Sequence, residues 1–369
     1  MTVTVIMLMF LMVTIPIIKT IIVLITVVKM VVIVMIVMME MMIAMAAANI
    51  TMMEVNTTMT IILASGLMMP LMTMMMMIGA RILMLTMNSD AKSRDYSFLP
   101  DHPRPGHADL VESVRSDGPA DLRGGGSQSA RLTFGLVAAG SQARILLDNV
   151  GWSCHAHLHS VGEVKSRPLF DLEKKTPLDP SSDSGRLNCR DAEAAKSMSH
   201  EIESVRKDRD TIGSVVELLI EGLPIGVGEP WFDGIEPSLA RALMAIPGAR
   251  AIEFSHGIRS STMRGSEHND AWVPGPDGPI LEGSSEAVAD GSLGGRSTGS
   301  PISVKIHFKP PSSLPRKQFT LHLPSNEKMP LKVGGRHDPV LGPRSAPVVE
   351  AVAILVMADL GIAGGYISN

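Results

Sequence analysis

The chain has 369 residues, enough for one large domain or two to three average ones. Its 33 basic and 37 acidic residues leave a formal charge of −4, without the basic excess of a nucleic-acid binder. Two cysteines exclude a disulfide framework.

The first element is unusual. Residues 1–78 are apolar and rich in Met, Ile, Val and Thr, and 23 of the 28 methionines fall within residues 1–87. Residues 2–18, 20–28 and 30–39 lack charge, with Lys19 and Lys29 between them. By hydropathy residues 1–47 form a candidate membrane segment. The abundance of Val, Ile and Thr also suits an aggregation-prone strand segment. The monotony of the run equally fits a degenerate or frame-shifted end. These three readings stay open. A cleavable signal peptide does not fit, because no short apolar core leads to a small-residue cleavage site.

From Gly79 the composition becomes that of an ordinary globular chain. Residues 79–87 read as a strand, and 88–128 as loop, where Pro103 and Pro105 fix φ and remove donors. Three glycines, Gly124 to Gly126, lead to Ser129, a good N-cap, and then to a helical run through Leu132, Leu136 and Val137. A glycine-rich loop opening a helix offers free N–H groups and the positive end of a dipole, a generic anion site. Residues 151–160 read as a strand with His155, His157 and His159 on one face. Same-face neighbours on a strand stand ~7 Å apart, too far for three imidazoles to meet at one ion. The expectation there is a polar strand face and no metal.

Residues 191–210 predict a charged helix with Met198, Ile202 and Val205 on one face and Glu203 four before Lys207. Residues 214–228 read as a strand leaving into a turn, and 237–247 as a short helix closed by Pro247. Residues 271–300, rich in Gly, Ser and Pro, read as a long loop. Alternation at Ile302, Val304, Ile306 and Phe308, then at Phe319, Leu321 and Leu323, predicts two strands joined by 309–317. A mostly apolar helix over 347–361 follows. Helices and strands mix without βαβ alternation, so the fold class is α+β.

A series of strings runs in order along this part. It starts with SRDYS (93–97), RPGHAD (104–109), RGGG (123–126) and SARLT (129–133). It continues with EAAKSM (193–198), DTIG (210–213), LPIGVGEPWFD (223–233) and ARALMAIPGARAIEF (240–254). It ends with MRGSEHND (263–270), LGGRSTGSPI (293–302), KPPSS (309–313) and GRHDPVLGPRSAPVVEA (335–351). In content, order and spacing the series resembles chorismate synthase over residues 79–361, giving a domain at 79–369 after the apolar segment.

The resemblance implies a layered β-α-β sandwich, usually a homotetramer, in the cytoplasm. It implies a lyase of the shikimate pathway of aromatic amino acid biosynthesis. The reaction is an anti-1,4 elimination of phosphate from 5-enolpyruvylshikimate 3-phosphate that gives chorismate and depends on reduced FMN. No reductase domain is visible, so reduced flavin would come from an external reductant, with NADPH acting indirectly. His107 matches the family histidine thought to protonate the flavin, and Asp338 the aspartate that helps remove the substrate proton. Arg104, Ser129, Ala130, Arg131 and Arg336 match substrate-binding positions. Ser127, Gln128, Ser129, Pro247, Gly248, Gly294, Lys309, Pro310, Pro311, Ser312, Ser313 and Arg336 match flavin-binding positions. The chemistry agrees: a reaction expelling phosphate needs cations around a polyanion, and Arg offers bidentate contacts. A histidine can carry a proton at working pH.

The chain also departs from the pattern. The family has a GESHG-like motif, whose His is thought to protonate the leaving phosphate, and an RRxPGQ-like stretch; residues 1–78 contain neither. Ser127 stands where the family usually has Arg after the glycines, and Val340 where it has Cys. Two further readings follow: a catalytically impaired, flavin-binding remnant, or a form anchored to a membrane through residues 1–47.

Overall fold

The computed structural model describes Met84 and residues 96–116, 129–276, 278–283, 290–335 and 337–368. The chain divides into two units, Met1–Leu83 and Met84–Asn369. The first lies outside the described residues, and with it the readings of the apolar segment. The strand expected at 79–87, the loop at 117–128 with Ser127 and Gln128, and Arg336 also lie outside them, save Met84.

In chain order the second unit begins with a short helix, α1 (Asp109–Arg115). Ser129 then caps a 3-10 turn, its Oγ accepting from the Arg131 N–H at 3.2 Å, and α2 (Thr133–Asn149) follows. Next come β1 (Ser153–Val161), β2 (Val164–Lys165), α3 (Asp183–Leu187) and α4 (Ala192–Lys207). Then come β3 (Ser214–Glu221), α5 (Ile235–Met244), β4 (Ala249–Phe254) and the short α6 (Gly265–His268). The hairpins β5 (Trp272–Gly275) with β6 (Gly278–Leu281) and β7 (Ser292–Leu293) with β8 (Arg296–Ser297) precede β9 (Ile302–Phe308). A third hairpin, β10 (Gln318–His322) with β11 (Glu327–Leu331), and a long helix, α7 (Gly342–Ala363), end the series.

One antiparallel sheet, in the order β2-β1-β3-β9-β4, organises the unit. Alternation decides its faces. Val216, Leu218 and Ile220 of β3 and Ile302, Val304, Ile306 and Phe308 of β9 share one buried core with α2, α5 and α7. A second, smaller cluster joins Leu158 and Val161 of β1 to Met198 and Ile202 of α4. This is the expected mixed fold, with one strand layer and one helix layer among the described residues.

Helix α7 starts five residues before the expected 347, and Pro347 lies inside it. A proline there has no N–H for the carbonyl of Pro343. Asn188, in the left-handed conformation at the end of α3, donates its Nδ2–H to that carbonyl at 2.6 Å. By length and a hydropathy of 2.0 this helix could cross a membrane, yet 61% of that window is buried in the fold. Helix α4 is capped by Asp191, whose Oδ1 accepts from the Ala194 N–H at 3.3 Å. Met198 and Ile202 are buried as the spacing predicts, but Glu203 pairs with Arg206 at 3.1 Å, not with Lys207.

One expectation changes, while the two strands predicted on either side of 309–317 are both present. The stretch 271–300 is not one long loop, since its glycines turn two hairpins. The strands over 302–308 and 318–322 lie in different sheets, because β9 is taken by β3 and β4 on its two edges.

Candidate active site

The site is built from loops at one end of the sheet. The first is 103–108, leading into α1. Arg104 is buried, and its guanidinium grips Asp109 with Nε to Oδ2 at 2.8 Å and Nη2 to Oδ1 at 2.7 Å. The Arg104 backbone N–H adds a third bond to Oδ2 at 3.0 Å. Burial alone would raise the Asp109 carboxyl, but the bonds from Arg104 and His107 hold it well below the usual carboxylate range. His107 Nδ1 lies 2.7 Å from Asp109 Oδ1, and the ring stays about one-third exposed, at 33%.

The second loop follows β9 and is tied to the first. Lys309 Nζ donates to the Gly106 carbonyl at 2.6 Å and Ser312 Oγ to the same oxygen at 2.7 Å. Arg104 Nη1 donates to Ser313 Oγ at 3.1 Å. Partial burial, and then the charge of Arg250, press the Lys309 ammonium toward lower pKa. The third loop, before β4, joins through the Lys309 N–H to the Gly248 carbonyl at 3.0 Å. Gly248 has φ +94°, and a Cβ there would stand 2.6 Å from Leu341 Cδ1, so the turn requires glycine.

These loops, the start of α2 and the approach to α7 enclose a cleft of about 790 Å³. It brings together Arg104, His107, Ser129, Ala130, Arg131, Pro247, Gly248, Lys309, Pro311, Ser312, Ser313 and Asp338 of the expected residues. Asp338 is ion-paired with Arg344 at 2.9 Å. Two of the expected residues that are described are not in its lining. Pro310 turns to Gly213, and Gly294 sits in the β7–β8 turn with φ +62° and open space around it. The cleft adds residues that the sequence reading did not single out: Asp109, Tyr96, Arg250 and an apolar wall of Met244, Ile246 and Leu341. Asp109 had a visible signal, an acid two after His107 and five after Arg104 in RPGHAD; Arg250 had none.

Chemically the cleft offers Arg104, Arg131, Arg250 and Lys309 as cations, three serine hydroxyls, an apolar wall and two histidines, His107 and His337. That set suits a ligand that is both anionic and flat-ringed, and a proton transfer beside it.

The histidine strand behaves differently from the expectation. A bulge between Leu158 and Ser160 re-aims His159, so that His157 Nε2 and His159 Nδ1 both reach Glu217 Oε2, at 3.2 and 3.3 Å. The Leu169 N–H donates to the same oxygen at 2.8 Å. The Arg190 N–H points at His157 Nδ1 at 3.4 Å, so the ring carries its proton on Nε2 and donates it to Glu217. A metal on Nε2 would need Nδ1 protonated, facing that N–H. The cluster is therefore a closed hydrogen-bond network. His155 is not part of it.

Comparison with known proteins bears on the cleft. The family model described as chorismate synthase matches residues 57–362, starting upstream of the boundary at 79. The chorismate synthase of Methanosarcina mazei is 38% identical over 295 residues, 79% of this chain and 77% of that protein. That of Aeropyrum pernix is 42% identical over 284 residues, 76% and 73% of the two chains. A crystal structure of chorismate synthase aligns with a TM-score of 0.53 at 21% identity over 70% of each chain, a likeness of fold.

Proposed function

Because the chain belongs to the chorismate synthase family, we propose that it is a lyase eliminating phosphate from 5-enolpyruvylshikimate 3-phosphate with reduced FMN bound in the cleft. One observation supports this above others. Segments more than 200 residues apart in sequence, around Arg104 and Ser313, meet in one cationic cleft with an apolar wall.

The donor set fits the flavin. Lys309, Ser312 and Ser313 would hold its phosphate end, with Ser129, Pro247 and Gly248 along the rings. Ser127, Gln128 and Arg336 belong to the same proposal, as do Gly294 and Pro310, which are not in the cleft lining. When bound, reduced FMN supplies electron density to the breaking carbon–oxygen bond and a place for the departing proton. Arg104, Ala130, Arg131 and Arg336 would bind the anionic substrate and orient it. Arg104 is already ion-paired with Asp109, so Arg131 contributes the freer charge. His107 presents an imidazole nitrogen to the cleft for proton transfer, and Asp338 offers a carboxylate there as acceptor. The apolar wall excludes water. We further propose a cytoplasmic homotetramer supplied with reduced flavin by an external, NADPH-driven donor.

A second reading has its own observation: residues 1–78 lack the GESHG-like histidine. Loss of a general acid lowers rate by ~10²–10⁴, leaving a flavin-binding remnant. The test is chorismate and phosphate formation from the substrate with chemically reduced FMN under anaerobic conditions, beside FMN titration. Turnover supports the enzyme. Tight FMN binding without turnover supports the remnant, and neither event overturns both.

A further inference from the structure

We infer that Asp109 is a positioning residue, fixing the His107 ring as the Nδ1–H tautomer so that Nε2 is the nitrogen left for the cleft. For its consequence in turnover this rests on the proposed lyase activity; its geometry does not. Asp109 Oδ1 accepts from Arg104 Nη2 at 2.7 Å and stands 2.7 Å from His107 Nδ1. Arg104 Nη2 is also 3.1 Å from His107 Nδ1. Two arrangements are open to that nitrogen. It could present a lone pair to the guanidinium at 3.1 Å, or a proton to the carboxylate at 2.7 Å.

The carboxylate decides. A lone pair on Nδ1 would face a full anionic charge at 2.7 Å with no hydrogen between, whereas Nδ1–H makes a short charge-assisted bond there. Arg104 keeps three other hydrogen bonds to Asp109, so it does not need the ring. His107 Nε2 has no hydrogen-bond partner among the described residues, and the ring lines the cleft. The same carboxylate thus sets the direction of the guanidinium and the ring. A histidine poised by a buried acid on its far nitrogen is a known way to aim a proton-transferring ring.

The full chain, labelled with 15N-histidine, reports the tautomer directly, and His107→Gln identifies the signal. At pH 8 the His107 ring is expected to show a protonated Nδ1 and a bare Nε2. In Asp109→Asn the amide oxygen retains Arg104 while its N–H donates to Nδ1, so the pattern inverts to Nε2–H. Turnover of Asp109→Asn is expected to fall ~10²–10⁴-fold in kcat. Its KM and FMN affinity should stay within about threefold, and Asp109→Glu should recover about tenfold of the rate. A structural role alone would weaken FMN binding and rate together and leave the tautomer unchanged. Should Asp109→Asn fail to fold, the unmutated chain still decides: an Nε2–H signal there overturns the inference. An Nδ1–H signal in a chain that makes no chorismate leaves Asp109 as inferred and removes the lyase reading instead.

Discussion

Single residues here are held by charge in buried surroundings. Arg104 and Asp109 have side chains only 7% and 3% exposed, so each is the other's counter-ion in low dielectric. Removing one leaves a buried charge without a partner. Asp109→Ala is expected to cost about 3–5 kcal/mol in urea unfolding. The Arg104→Met, Asp109→Leu double variant should cost clearly less than the two single changes summed. A strictly additive result would show that the pair is not coupled. His157 is fully buried and neutral, its pKa pushed below the ordinary 6.5 by burial, against the pull of Glu217. The folded state therefore refuses a proton that the unfolded chain accepts. Stability is full above pH 6.5 and falls as acid is added, by up to about 1.4 kcal/mol per pH unit from this one residue. Glu217, held low by its histidine partners despite burial, adds to the loss as pH falls below its ordinary value of 4.5. Urea midpoints at pH 7.5 and 5.5 test this. The drop should shrink in His157→Asn, and a midpoint that rises in acid would contradict it.

At the scale of elements, close approach sets the helix layer. A Cβ on Gly140 of α2 would lie 2.6 Å from the Ala351 Cβ and 2.8 Å from its backbone, on α7. The two helices meet there across the Ala351 methyl group. Gly140→Val should force them apart and cost about 1–3 kcal/mol, despite valine's better helix propensity. A thermal midpoint unchanged by the substitution would mean that the layer has slack. The apolar face of α4 was legible, because its spacing is local. The bulge in β1 was not. Alternation alone keeps His157 and His159 apart, and only pairing with β3 brings both onto Glu217.

For the whole molecule, the cleft is a product of topology. The sheet places the end of β9 beside the start of β4, so 309–313 can hold both 106 and 248. If Lys309 holds a phosphate, Lys309→Met should weaken FMN binding about ten- to hundredfold and leave riboflavin nearly unaffected. Fluorescence titration of both flavins separates charge from ring stacking. Equal weakening would place the phosphate elsewhere.

Sequence by itself determined the family, the α+β class and half of the cleft-lining residues, since RPGHAD, KPPSS and the 335–351 string are contiguous and distinctive. It also located the core strands and the long apolar helix through their local periods. Only the tertiary structure decided that Asp109 serves both Arg104 and His107, that Arg250 joins the cleft, and that Gly294 and Pro310 are not in its lining. It also decided that β9 and β10 part into separate sheets. The physical reason is range. A cap or an alternating run is written within a few residues, whereas a contact between positions 104 and 313 exists only after the sheet between them has formed.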